Sequence, residues 1–160
     1  MNPIAIANIR ASYEAISPRL DRVVERFYSE LFRRRPEVRR IFPTDMARQK
    51  EHLAAALAML FRNLENMEGL EPSLMSLGAQ HVAFGALPEH YPVVRDCLLA
   101  AVAEVAAPAW SSQLEDAWRE AFNRVCSAML KGAAASALAM AHAMSPAMDR
   151  LRTSTGHGAA

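Results

Sequence analysis

Apolar residues along this chain recur at spacings of three and four, and few stretches alternate every second residue, which predicts helix after helix and no sheet. One stripe holds Leu20, Val23, Val24, Phe27 and Leu31. A second holds Leu53, Leu57, Leu60, Phe61 and Leu64, and a third Leu70, Leu74 and Leu77. Asn2-Pro3 reads as a cap with proline in the first turn, and Ser17-Pro18 repeats the signal. The spacing predicts a first helix to about Ile16 and a second from Pro18 to about Arg35. Pro36 opens a short piece ending near Phe42, and Pro43-Thr44-Asp45 starts a long helix to about Asn66. Met67–Glu71 reads as a loop, Pro72 opens a helix to about Phe84, and "GALPE" (85–89) breaks the chain again. A helix then runs from Pro88 or Tyr91 to about Ala106. Ser112-x-x-Glu115 is a capping box ahead of the last long helix.

From about Ala133 the composition turns Ala/Met-rich and then Ser/Thr/Gly-rich. The expectation is one domain over 1–132, followed by the end of the last helix, a stop at Ser145-Pro146 and a disordered tail to 160. With 160 residues the chain can bury a full core. A net charge of +1 gives no footprint for nucleic acid or a membrane surface. The basic run "FRRRPEVRR" (32–40) reads as a solvated helix end and turn. Cys97 and Cys126 form no C-x-x-C and read as free core thiols. The N-terminus lacks a basic n-region, and no apolar run reaches bilayer length, so a cytoplasmic protein is expected.

Three polar residues interrupt these stripes. His81 stands four after Leu77 and three before Phe84, where the helical period calls for an apolar side chain. Gln49 lies between Met46 and Leu53 in the same way, and Tyr28 between Val24 and Leu31. Each alone reads first as an ordinary residue, His81 and Tyr28 satisfied in the core and Gln49 at a stripe's edge. Together they predict one inward pocket with a metal-ligating imidazole and two hydrogen-bond donors. A buried imidazole needs partners for both nitrogens, and a carbonyl one turn earlier, around Leu77, can serve one of them. A single protein nitrogen cannot hold a bare transition metal, but it can hold an iron that already has four ligands, as in haem.

The chain resembles the bacterial single-domain globins and the haem domain of flavohaemoglobins. The matching pieces are Phe27-Tyr28, "RRPEVRRIFP", "QKEHL" (49–53), "NLEN" (63–66), "HVAFGALPEHYPVV" (81–94) and "DAWREAF" (116–122), spanning about residues 5–131. The resemblance implies a globin fold around haem b. His81 matches the proximal iron ligand, Phe42 the phenylalanine that stacks on the porphyrin, and Tyr28 and Gln49 the distal donors. Leu53 matches the apolar residue over the gas ligand and Tyr91 the tyrosine near the proximal histidine; Leu77 joins them in lining the cofactor. His90 is expected at an exposed helix start. His52 is expected to be exposed or against a haem propionate, with a swing onto the iron as sixth ligand left open.

The implied function is reversible oxygen binding at a five-coordinate iron, with O2, NO and CO as ligands, as a carrier, store or scavenger. A nitric oxide dioxygenase served by a separate NAD(P)H/flavin reductase, and a gas sensor, stay open beside it. A monomer or weak homodimer is expected. Two departures stand out. The family's glutamate on the last helix falls at Ala133, with Glu115 and Glu120 too early to replace it, so His81 is expected to push less electron density to iron. No glycine-rich dinucleotide motif is present, so electrons are expected from another protein.

Overall fold

The computed structural model describes the backbone of residues 1–154 and the side chains of residues 1–144. Its helices are α1 (Pro3–Ile16), α2 (Leu20–Arg34), α3 (Ala47–Arg62), α4 (Met67–Ala83), α5 (His90–Ala106) and α6 (Ser112–Ser154). Short 3-10 turns at Ser17–Arg19, Pro36–Ile41 and Leu64–Asn66 join some of them. The all-α expectation holds, with no strand among the described residues.

The caps explain most boundaries. The Asn2 side chain accepts from Ala5 N at 2.7 Å and starts α1. Ser17 does not cap α2; its hydroxyl donates back to Glu14 O at 3.2 Å, Pro18 sits in a 3-10 turn, and α2 begins at Leu20. The predicted capping box shifts by one residue. Ser111 Oγ accepts from Leu114 N at 3.2 Å, while the Glu115 carboxylate takes Arg119 at 2.7 Å.

Two expected breaks are overturned. Met67–Glu71 is the first part of α4 and Pro72 lies inside that helix. Asn66 caps it by accepting from Gly69 N at 3.2 Å, and Met67 and Leu70 pack against the core, which outweighs the one backbone bond a proline removes. Likewise α6 runs through Ser145-Pro146 to Ser154, because its Ala, Leu and Met residues favour helix strongly. Residues 155–160 of the expected tail lie outside the described residues. Contrary to expectation, the stretch Ser112–Met144 is long and apolar enough to cross a membrane by length and composition. Only 22% of its most apolar window is buried, whereas the start of α6 is core: Trp118, Ala121 and Phe122 are buried.

The main core gathers α1, α2, α3, α5 and α6. Trp118 stacks edge-on against Phe61, with centroids 4.5 Å apart, and donates from Nε1 to Ser12 Oγ at 3.0 Å. Ile9, Ile16, Val23, Val24 and Val102 are almost wholly enclosed around it. Each such aliphatic side chain contributes roughly 1.5–3 kcal/mol of burial. One charge is buried there as well. Glu30, 4% exposed, accepts from Arg33 and Arg34, whose bonds hold its carboxyl down at about 2.

Helix α4 meets this core through Met67 and Leu70 at its start. It packs chiefly on α6, whereas α3 packs on α1 and α2. Leu74, Tyr91, Ala128 and Met129 form a second, smaller apolar cluster, with Leu77 against it. The buried core is therefore split into two clusters, with the partly buried Met67, Leu70 and Val125 packed against both, and α3 and α4 make no extensive contact with each other.

Candidate functional site

One wall of the split lies on α2, the turn after it and α3. Tyr28 is 4% exposed. Its ring is held by Phe27 at 4.9 Å, Phe42 at 5.6 Å and Phe32 at 5.8 Å between centroids. Phe42 reaches this cluster because it precedes Pro43, and the residue before a proline is driven to extended backbone, here φ −100 and ψ 153. Asp45 then accepts from Ala47 N at 2.9 Å and restarts the helix as α3. Gln49, in the first turn of α3, donates from Nε2 to Tyr28 Oη at 3.1 Å. The phenol thus accepts from Gln49 and keeps its own proton for another acceptor. Burial pushes the Tyr28 pKa above its ordinary value, opposed by the Gln49 bond, so the hydroxyl is a donor at neutral pH. Leu53, one turn on, is half-buried against the main core.

The second wall is the end of α4. His81 Nδ1 bonds Leu77 O at 2.8 Å, which commits Nδ1 to the proton and leaves the Nε2 lone pair free. The helix terminates directly beyond it. Ala86 N donates to His81 O at 3.0 Å and Gly85 N to Val82 O at 3.0 Å, a Schellman pair with Gly85 at φ +89. That turn fixes the histidine's own carbonyl. Phe84 continues the sequence stripe but not the wall: it is 66% exposed, because the helix has already ended.

Two glycines set how closely α4 approaches α6. A Cβ on Gly78 would lie 1.9 Å from Met129 O, and a Cβ on Gly132 would lie 1.9 Å from Met75 O. The two backbones touch reciprocally within the two turns that precede His81. Tyr91, from the start of α5, is 7% exposed and its hydroxyl has no hydrogen-bond partner. Burial raises its pKa. Ala133, where the resemblance led the family's glutamate to be sought, is buried and its side chain offers no acceptor.

The structure thus brings Tyr28, Gln49 and Phe42 into one cluster, and joins His81 to Leu77 on the separate α4 wall. It leaves His52 exposed on α3. His90 opens α5, with Nδ1 accepting from Leu87 N at 3.1 Å. Cys97 is a buried free thiol and Cys126 a partly buried one. A concavity between α2 and the end of α5 is lined by charged residues including Arg22, Arg26 and Glu104 and shares no residue with this site.

Three contributors are absent from the sequence reading. Phe32 sits four after Tyr28, a spacing that was sufficient to find it. Arg39 lies in the basic run but is half-buried, unlike the exposed Arg33, Arg34 and Arg40 around it. Gly132 carries no local signal, since its partner is 57 residues away at Met75.

The site is tested for haem by its donor set. Among the described residues no three His, Cys, Asp or Glu side chains gather to hold a bare metal ion. What is present is one imidazole with a free nitrogen, a paired phenol and amide, and apolar surface on both sides of a split core. That set suits a flat apolar group whose metal needs a single further ligand.

Fold and candidate residues together define an all-helical protein with a histidine near the end of one helix and a Tyr–Gln pair joining two others. The sequence model of the globin family matches residues 25–129, and the chain belongs to that family. A flavohemoprotein of Bacillus thuringiensis is 35% identical over 112 residues, 68% of this chain and 27% of its own length. The chain spans about a quarter of the length of such relatives, 26% for the flavohemoprotein of Rhizobium meliloti. Among solved structures, an engineered carbene transferase from Rhodothermus marinus, built on a protein assigned as a nitric oxide dioxygenase, superposes with TM-score 0.79 and 28% identity. That match covers 88% of this chain and 99% of the other. A bacterial globin from Campylobacter jejuni gives TM-score 0.69 at 25% identity, covering 82% and 96%.

Proposed function

We propose that this chain binds haem b and uses it to bind oxygen reversibly, as a carrier, store or scavenger. The observation that carries the reading is the split core, with the free Nε2 of His81 on one side and the Tyr28–Gln49 pair on the other. His81 would hold the group through Nε2, and Phe42, Leu53, Leu77 and Tyr91 would pack against it. The cysteines are too far apart in sequence for covalent attachment through C-x-x-C-H, which favours haem b. Haem, when bound, supplies an iron that takes O2, NO or CO.

The chain's own residues do the rest. Leu77 O fixes the imidazole's tautomer and direction, so the ligating lone pair is presented by the fold itself. Tyr28 points its proton away from Gln49 and offers it to a ligand that gathers negative charge. Gln49 holds the phenol in that orientation. Phe27, Phe32 and Phe42 keep water from the hydroxyl and strengthen its bond. A polar ligand is favoured over carbon monoxide on this wall.

The kinship to flavohemoproteins and to the Rhodothermus marinus protein favours a second reading. It is nitric oxide dioxygenation with electrons from a separate NAD(P)H- and flavin-dependent reductase. Sustained nitrate production with such a reductase would establish it over storage. The first test of haem binding is the absorption spectrum of the purified protein, ferric, reduced and then exposed to oxygen. A strong Soret band, a five-coordinate reduced state and a stable oxygenated spectrum are expected. A low-spin reduced spectrum would make His52 the first suspect as internal ligand, and no Soret band after added haemin would refute the reading.

A further inference from the structure

The backbone between Phe42 and Met46 belongs to no helix, yet it is the link that carries Phe42 to Gln49. Three successive carbonyls of this link receive hydrogen bonds from one side chain. Arg39 Nη1 donates to Phe42 O at 3.2 Å and Pro43 O at 2.9 Å, and its Nη2 donates to Thr44 O at 3.1 Å. The guanidinium carbon lies 5.3 Å from the centroid of Phe32. Phe32 in turn packs on Phe42 at 5.4 Å and on Tyr28 at 5.8 Å. Phe42 N returns a bond to Arg39 O at 3.2 Å, so side chain and backbone clamp the same residue from both ends.

Its neighbours are used differently. Arg33 and Arg34 bind the Glu30 carboxylate, and Arg35 binds Glu37. Arg39 alone among these four turns inward to carbonyl oxygens. A planar guanidinium can span several acceptors and stack on an aromatic face at once, which an ammonium cannot.

The geometry points to Arg39 as a positioning residue for the candidate haem site, a latch on the turn 42–46. It fixes the Phe42 ring at one end and the first turn of α3, with Gln49, at the other. The inference rests on the haem reading above. Without the latch the three carbonyls are free to turn to water. The link then opens locally, Phe42 leaves the aromatic cluster, and Gln49 loses its register with Tyr28. Retention of haem on this wall is therefore set by a residue that need not touch it.

The test compares Arg39→Met and Arg39→Lys with the wild-type full chain by two readouts. Amide hydrogen exchange at residues 42–50 should speed up at least tenfold in Arg39→Met, with α5 and α6 unchanged. Transfer of haem from the ferric protein to excess apomyoglobin should also speed up at least tenfold, and Arg39→Lys should recover only part of either loss. Unchanged local exchange overturns the latch. A uniform rise along the whole chain overturns it too, since Arg39 would then be only a general stabiliser. Faster local exchange with unchanged haem transfer overturns its link to the site. A wild-type chain that takes up no haemin removes the haem reading and the latch's purpose with it. That failure is told apart by the exchange contrast, which needs no haem.

Discussion

The wall carrying Tyr28 holds its polar groups in pairs; the wall carrying His81 does not. Gln49 donates to Tyr28 across two helices, and three aromatic rings close around the phenol. Across the split, His81 finds its partner within its own helix at Leu77 O, while the buried Tyr91 hydroxyl finds none. Support differs as well. The first wall is tied into the main core through α2 and α3, whereas α4 hangs chiefly on α6, through a glycine-to-backbone contact in each direction. A preorganised donor wall opposite a singly supported ligand wall separates two tasks. On the proposed reading, the first would tune what is bound and help keep the haem through Phe42, and the second would supply the iron's ligand.

The largest expected effect removes the second task outright. His81→Ala should abolish normal haem uptake, seen as loss of the Soret band after addition of haemin, with helical circular dichroism retained. Normal uptake would place the ligating nitrogen elsewhere and end the contrast between the walls. Next in size is the first task. Tyr28→Phe should raise the oxygen dissociation rate tenfold or more in stopped flow, because a hydrogen bond to a charged acceptor is worth roughly 1.5–3 kcal/mol. An unchanged rate would mean that the phenol does not face the gas.

How much of this was legible in the sequence depends on the range of the contact. His81, Gln49 and Tyr28 are visible because each breaks an apolar period within its own helix, a signal confined to eight residues or fewer. The Asn2 cap is local for the same reason, and it holds. The family resemblance supplied the fold and the pairing of the walls, which periodicity could not. Arg39 was hidden because its acceptors are backbone carbonyls that every residue carries, so nothing sets it apart from the solvated arginines beside it. Pro72 misled because proline usually opens a helix, whereas here the Asn66 cap and the apolar demand of Met67 and Leu70 placed the start five residues earlier. Gly132 is legible only once α4 and α6 are seen to cross.

That crossing gives the third way to probe the comparison. A methyl group on Gly132 would lie 1.9 Å from Met75 O, and backbone cannot move aside as a side chain can. Gly132→Ala should cost about 1–3 kcal/mol of overpacking strain, measured by chemical denaturation. It should also displace α4 and alter the iron–histidine vibration of the reduced protein. Oxygen release governed by Tyr28 should stay within twofold, because α3 packs on Trp118 and Phe122, about three turns or more before Gly132 on α6. Equal disturbance of both signals would show that the walls are coupled.

The smallest effect is the most pointed about the second wall. An unpaired buried hydroxyl costs about 1–3 kcal/mol, and Tyr91 carries one among Leu74, Met129 and Leu77. Tyr91→Phe keeps the ring and its packing and deletes only the oxygen. Thermal unfolding of the haem-free protein should therefore occur at the same temperature or a few degrees higher. The usual outcome at a site with a hydrogen-bonded tyrosine is the reverse. If the haem-loaded protein instead becomes less stable on the same substitution while the haem-free one does not, the hydroxyl has a partner only when the cofactor is in place. Tyr91 then belongs to the cofactor site on its own evidence. If both forms gain, the hydroxyl stays unpaired with and without the cofactor, and Tyr91 serves this wall by packing alone.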